Sequence, residues 1–133
     1  MSKMNDSDLL RDLQKKQYGF GQSLRTVRKN QGLTIREVAD EVKRTSTYIS
    51  DIERGINKPP NADLIDKIVK VLNKHETEIE SYLYDLAAKE RGGVSGDISK
   101  YIMDHNDLRL VIRMVKQRQD GEKIWSECLK RIQ

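Results

Sequence analysis

Between Phe20 and Leu33 the apolar residues Phe20, Leu24, Val27 and Leu33 recur at helical spacing, and Gly32 stands where a helix favours a left-handed end. Thr34, followed three residues later by Glu37, forms a capping box ahead of Ile35, Val38, Ala39 and Val42, which predicts a helix of about two turns. Thr45 can cap again. Ile49 and Ile52 then point inward at i, i+3, leaving Ser46, Thr47, Tyr48, Ser50 and Asp51 facing outward. Gly55 ends that helix, Asn57 to Pro60 reads as a loop, and Asn61 caps a fourth helix carrying Leu64, Ile65, Ile68, Val71 and Leu72. Two short helices joined by a tight turn, the second with a small polar outer face, form a helix-turn-helix unit inside a minimal bundle over residues 18–74.

The flanks carry weaker patterns. Leu9, Leu10 and Leu13 suit a short amphipathic helix from Asp6 to Lys16, but Gly19 and Gly21 interrupt it, so residues 1–17 are expected to form a loosely held arm. Residues 75–91 predict a connecting helix through Ile79, Tyr82, Leu83, Leu86 and Ala87, and Gly92, Gly93, Ser95 and Gly96 predict a flexible link. Within 92–133 three further helical stretches follow: one at Ile98, Tyr101 and Ile102, one from Leu108 to Val115, and one holding Ile124, Trp125, Cys128, Leu129 and Ile132. Leu108, Leu110, Val111, Ile112, Met114 and Val115 cover nearly the whole circumference of theirs. A tail of about 40 residues cannot bury such a helix alone, so these residues with Trp125 predict an oligomerisation surface; packing back onto the first module is the alternative.

Composition agrees with an all-α chain. Of 133 residues 36% are apolar and 35% charged, and only 8 Gly and 2 Pro punctuate the sequence, too few for the many turns of a β-sandwich. Net charge is +4, spread unevenly: residues 18–74 hold 11 basic and 7 acidic side chains, 75–90 hold 1 and 5, and 91–133 hold 9 and 6. Two positive segments around an acidic one suit two modules. The lone Cys128 forbids an internal disulfide, and neither an export segment nor a long apolar run is visible, so a cytoplasmic protein without a membrane partner is expected. His75, His105 and Cys128 lie 30 and 23 residues apart, which fits no zinc spacing, and no phosphate loop or nucleophile motif occurs. Neither metal, cofactor nor catalysis is expected.

The helix beginning at Ser46 fits a different chemistry. DNA's major groove, about 12 Å wide, admits one helix whose short outward side chains near its N-terminus approach base edges. Ser46, Thr47, Tyr48 and Ser50 supply hydroxyls that donate and accept. Arg36, Lys43, Arg44, Arg54 and Lys58 bracket them with the positive charge that phosphate contact requires, and the helix end at Thr34 offers amides for a further phosphate.

These residues also carry a resemblance. The stretch from Phe20 to Arg25, then Arg28, Gly32-Leu33-Thr34, Val38-Ala39, and Tyr48 to Gly55 with Pro59 resemble the Cro and phage-repressor type helix-turn-helix family, also called the XRE family. The resemblance implies a lambda-repressor-like bundle followed by a small C-terminal helical module. It implies that Thr45, Ser46, Thr47 and Tyr48 open the recognition helix, that Ser50 follows one turn on, and that Asn57 and Lys58 touch the DNA backbone. It further implies an internal ion pair between Arg28 and Glu53. Lys43 stands where the family usually has a turn glycine, so either it accepts a left-handed conformation or the turn is reshaped, and Arg44 stands where a small apolar residue is common; both changes read as stability traded for phosphate contact. The expected function is a transcriptional regulator, a dimeric repressor that reads an inverted repeat in a double-stranded DNA operator. The expected partners are a second copy of the chain and a regulatory protein; the alternative is an antitoxin or adaptor whose DNA binding is secondary.

Overall fold

The computed structural model describes residues 3–133, and among them the secondary structure is entirely α-helical. The helices are α1 (Asp6–Lys16), α2 (Phe20–Asn30), α3 (Ile35–Glu41), α4 (Ser46–Glu53), α5 (Ala62–Val71), α6 (Glu78–Arg91), α7 (Gly96–Asp104), α8 (Asn106–Lys116) and α9 (Gly121–Ile132). The chain divides into two compact units, residues 1–97 and 98–133.

In the first unit, one core gathers Phe20, Leu24 and Val27 of α2, Val38 and Ala39 of α3, Ile49 and Ile52 of α4, and Leu64, Ile65, Ile68 and Val69 of α5. The local signals operate as their chemistry requires. Thr34 and Glu37 form a complete capping box, the Thr45 hydroxyl accepts from the Tyr48 amide at 3.0 Å, and Asn61 Oδ1 accepts from the Leu64 amide at 3.0 Å.

The core extends beyond 18–74 at both ends. Leu9 and Leu13 of α1 are fully buried, with α1 packed on α2 and α6, so the expected loose arm is instead part of the fold. Burying two leucines contributes about 1.5 to 3 kcal/mol each, far more than an isolated helix of this length can gain from propensity. Polar clasps reinforce it: buried Lys74 donates from Nζ to Asp6 Oδ1 at 2.5 Å, and Asn30 exchanges two hydrogen bonds with the Met4 backbone. On the other side Ile79, Leu83, Tyr84 and Ala87 of α6 complete the core. Tyr84 donates to the Ala62 carbonyl at 3.2 Å. Burial, helped by nearby Asp66 and Glu80, pushes its phenol up to about 12, so it stays a donor at any neutral pH.

The glycine-rich link is also tied down. Gly92 ends α6 at a left-handed φ of +75°, Gly93 donates to the Ala88 carbonyl at 2.9 Å, and buried Ser95 donates to Asp85 Oδ1 at 2.5 Å. The expectation of a flexible joint at 92–96 is corrected by these bonds, and the boundary between units falls at Asp97.

The second unit is sparse by comparison. Val115 is its one apolar residue in the buried class among the described residues, whereas Leu110, Val111, Met114, Trp125, Leu129 and Ile132 are exposed. Leu108 and Ile112 are half-buried. α8 packs against α9. No helix among the described residues is long and apolar enough to cross a membrane.

Candidate nucleic-acid interface

The geometry of α3 and α4 is set by what lies behind them. Arg28, at the end of α2, donates from Nε to Glu53 Oε2 at 2.7 Å and from Nη2 to Glu53 Oε1 at 2.9 Å, a two-pronged pair almost entirely out of solvent. Its third nitrogen, Nη1, donates to the Leu33 carbonyl at 2.8 Å. One guanidinium thereby ties the end of α4 and the turn before α3 to α2. Closer to the start of α2, Gly21 lies so near α4 that an added Cβ would stand 2.3 Å from the Ile52 carbonyl oxygen, a spacing only glycine permits.

The turn between α3 and α4 answers the question raised by Lys43. That residue adopts the left-handed conformation itself, at φ +57°, and the following amide of Arg44 donates back to the Ala39 carbonyl at 2.9 Å. The strain of a non-glycine residue there costs about 1 to 2 kcal/mol. Lys43 and Arg44 are both exposed, and the Arg44 guanidinium lies 5.9 Å from the centroid of the Tyr48 ring.

Along α4, Ser46, Thr47, Ser50, Asp51 and Arg54 follow one another at i, i+1, i+4, i+5 and i+8 and share one face. They form one wall of an open groove of about 710 Å³ whose other wall is the turn from Gly32 to Arg36. Ser46, Thr47 and Arg54 are exposed, while Ser50 and Asp51 are half-buried. Asp51 sits among the hydroxyls as an acceptor-only group that composition and the family resemblance do not single out. The helical period places it on the same face as Ser46, Thr47 and Ser50.

Other expected residues are placed differently. Tyr48 is half-buried, with part of its side chain packed against the core and its ring 5.9 Å from the Arg44 guanidinium. The Thr45 hydroxyl is engaged as the helix cap. At Thr34 the helix end is met by its own carboxylate: Thr34 N and Oγ1 donate to Glu37 Oε1 at 3.3 and 3.1 Å. A negative group there repels phosphate, which corrects the expected anion site at that seven-residue helix. Arg36 remains exposed beside it, with only a loose 4.0 Å contact to Asp40. Asn57 and Lys58 are exposed on the loop beyond α4, and line a separate hollow of about 290 Å³ with Phe20, Gly21 and Glu90.

His75 pairs with Glu80 at 2.8 Å and His105 stacks on Tyr101 with centroids 4.0 Å apart, while Cys128 is exposed. No three His, Cys, Asp or Glu side chains among the described residues are grouped to hold a metal ion.

A family described as helix-turn-helix matches residues 24–79. The chain is 31% identical over 73 residues to the HTH-type transcriptional regulator SinR of Bacillus subtilis, covering 48% of this chain and 66% of that protein. It is 42% identical over 52 residues to the transcriptional regulator ClgR of Mycobacterium tuberculosis, covering 39% and 46%. It is 31% identical over 69 residues to the HTH-type transcriptional regulator SlrR of Bacillus subtilis, covering 50% and 45%. The chain thus spans between about half and just under two thirds of the length of these relatives. No solved structure matches it. With a capped two-helix unit locked behind by Arg28 and Glu53, and a match that runs from α2 to the start of α6, residues 24–79 form a helix-turn-helix module similar to those of the Cro and phage-repressor type.

Proposed function

We propose that the protein is a sequence-specific DNA-binding transcriptional regulator, a dimeric repressor that reads an inverted repeat through α4. The observation that carries this reading is the open face of α4, where Ser46, Thr47, Ser50 and Asp51 stand together with Arg54 at the rim. Serine and threonine hydroxyls serve either base pair, and a carboxylate accepts from the amino group of cytosine, so Asp51 favours a C·G pair at one position of each half-site. Arg36 and Arg54 are exposed at that groove, Lys43 and Arg44 in the turn before α4 and Lys58 on the loop after it, and together they supply the sequence-independent share of affinity. Arg28 and Glu53 are buried behind it and support the reader without touching DNA.

Two copies held by the second unit engage half-sites whose centres lie about 34 to 36 Å apart, or a multiple of that. Selection of bound sequences from random duplexes, repeated at two salt concentrations, should return a palindrome with a C·G pair at each symmetric Asp51 contact. Ser46→Ala and Thr47→Ala should weaken binding to that operator by about 1 to 3 kcal/mol while leaving random-duplex binding nearly unchanged. Lys58→Ala should weaken both and flatten the salt slope by about 1. Equal losses on operator and random DNA for the hydroxyl variants would remove the base-reading assignment.

The exposed apolar side chains of α8 and α9 favour a second reading, an adaptor or antitoxin in which those helices capture a different protein. The oligomeric state of the purified chain separates the two.

A further inference from the structure

The loop after the recognition helix has little backbone with which to hold itself. Ile56 and Asn57 both donate to the Asp51 carbonyl, at 2.9 and 3.1 Å, and the chain then runs through Lys58 into Pro59 and Pro60, neither of which has an N–H to donate. Both prolines are buried, so the Pro59 carbonyl needs a partner from elsewhere. That partner lies 32 residues away: Arg91 donates to it from Nε at 3.0 Å and also from Nη2.

Arg91 is the last residue of α6, directly before the left-handed Gly92 that stops the helix. Its neighbour Glu90 fixes the same turn from the other side. Glu90 Oε2 accepts from the Phe20 amide at 2.7 Å, at the N-terminus of α2, whose own cap residue Gly19 supplies no side chain. The final turn of α6 is therefore anchored on α2, the helix that also holds α4, and from there it grips the loop that carries Asn57 and Lys58. This turn lies beyond residue 79, where the family match ends.

We propose that Arg91 is a positioning residue for DNA binding, which clamps the Pro59 carbonyl and so presents Asn57 and Lys58 at a fixed height to the phosphate backbone. The inference rests on the DNA-binding reading of α4. A lysine on an unclamped loop would have to be ordered at the moment of contact, and that entropy would be subtracted from affinity. A guanidinium that gives two donors to one carbonyl fixes the loop's orientation as well as its distance, which a single ammonium does not.

The test measures binding of the full-length chain to a random-sequence duplex by fluorescence anisotropy across a salt series. Arg91→Gln should weaken binding about five- to tenfold and flatten the logarithmic salt slope by about 1, the signature of one lost phosphate contact. A direct Arg91 contact to phosphate would do the same, so the deciding measurement is a double-mutant cycle. In a Lys58→Ala background, Arg91→Gln should cost less than about twofold more, because the contact it served is already gone. A full additive loss in that background, or an unchanged slope in the wild-type background, overturns the proposal. Should Arg91→Gln fail to fold by its thermal melt, Arg91→Lys, which keeps the charge and lacks the fork, carries the same cycle. A wild-type chain that binds no duplex at any salt overturns the DNA reading together with this inference. Wild-type binding that Arg91→Gln leaves untouched overturns this inference alone.

Discussion

At the scale of single residues, a buried ion pair and one strained lysine hold opposite places in the balance between stability and function. Arg28 and Glu53 form a pair that is 8% and 2% exposed, so each depends on the other to offset the loss of water. Replacing either with methionine should destabilise the fold by about 3 to 5 kcal/mol, because it strands a buried charge. The double replacement should cost clearly less than the two losses added together, and urea unfolding of the three variants measures it. Additive losses would mean that the pair acts as two unrelated contacts. Lys43 is the reverse case: its left-handed backbone costs stability while its ammonium is exposed beside α4. Lys43→Gly should therefore raise stability by about 1 kcal/mol and lower duplex affinity at the same time. A variant that melts higher and binds DNA equally well would show that the strain supports no phosphate contact.

At the scale of elements, what could be read from the sequence follows the range of the interactions involved. The caps at Thr34, Thr45 and Asn61, the buried stripe of Ile49 and Ile52, and the end of α6 before Gly92 are set within one or two helical turns, and each is written in adjacent residues. The polar face of α4 was legible for the same reason, down to Ser46, Thr47 and Ser50. The packing of Tyr48 on the core and its approach to Arg44 are not specified by the period alone. Contacts that join distant segments left no local mark: Glu90 to Phe20, Arg91 to Pro59, and α1 to α2 and α6. The glycines at 19 and 21 looked like the end of order, yet Gly21 is there because α4 approaches too closely for any Cβ. The correction to α1 is open to a direct check. Leu13 is fully buried, so Leu13→Ala should destabilise the first unit by about 2 to 5 kcal/mol, seen as a lower melting temperature by circular dichroism. A loss below about 0.5 kcal/mol, the ordinary range for a surface change, would restore the loosely held arm.

At the scale of the whole molecule, the second unit raises the question of what completes it. Units below about 40 residues rarely bury enough surface to fold unaided, and residues 98–133 leave Leu110, Val111 and Met114 of α8 and Trp125, Leu129 and Ile132 of α9 in solvent. Those positions run at i, i+1, i+4 and at i, i+4, i+7, so each helix presents a continuous stripe. Full burial contributes about 1.5 to 3 kcal/mol per large apolar side chain, and since these six are on average about half-exposed they yield roughly 5 to 10 kcal/mol from each copy. Association costs about 4 to 15 kcal/mol in lost freedom, so two stripes meeting each other exceed that cost where one stripe on a small ligand would not. A second copy also satisfies the symmetry of an inverted repeat, because an isologous contact places two identical readers about a two-fold axis. Light scattering behind a sizing column should therefore give a dimer at micromolar concentration, and Leu110→Glu with Met114→Glu should give a monomer whose first unit melts unchanged. That monomer should lose about a hundredfold or more in affinity for the full operator while keeping its affinity for an isolated half-site, since only the linkage between readers has been removed. If the wild-type chain is itself a monomer that binds operator and half-site alike, the stripes on α8 and α9 belong to a partner of different sequence, and regulation through that partner replaces the symmetric repressor.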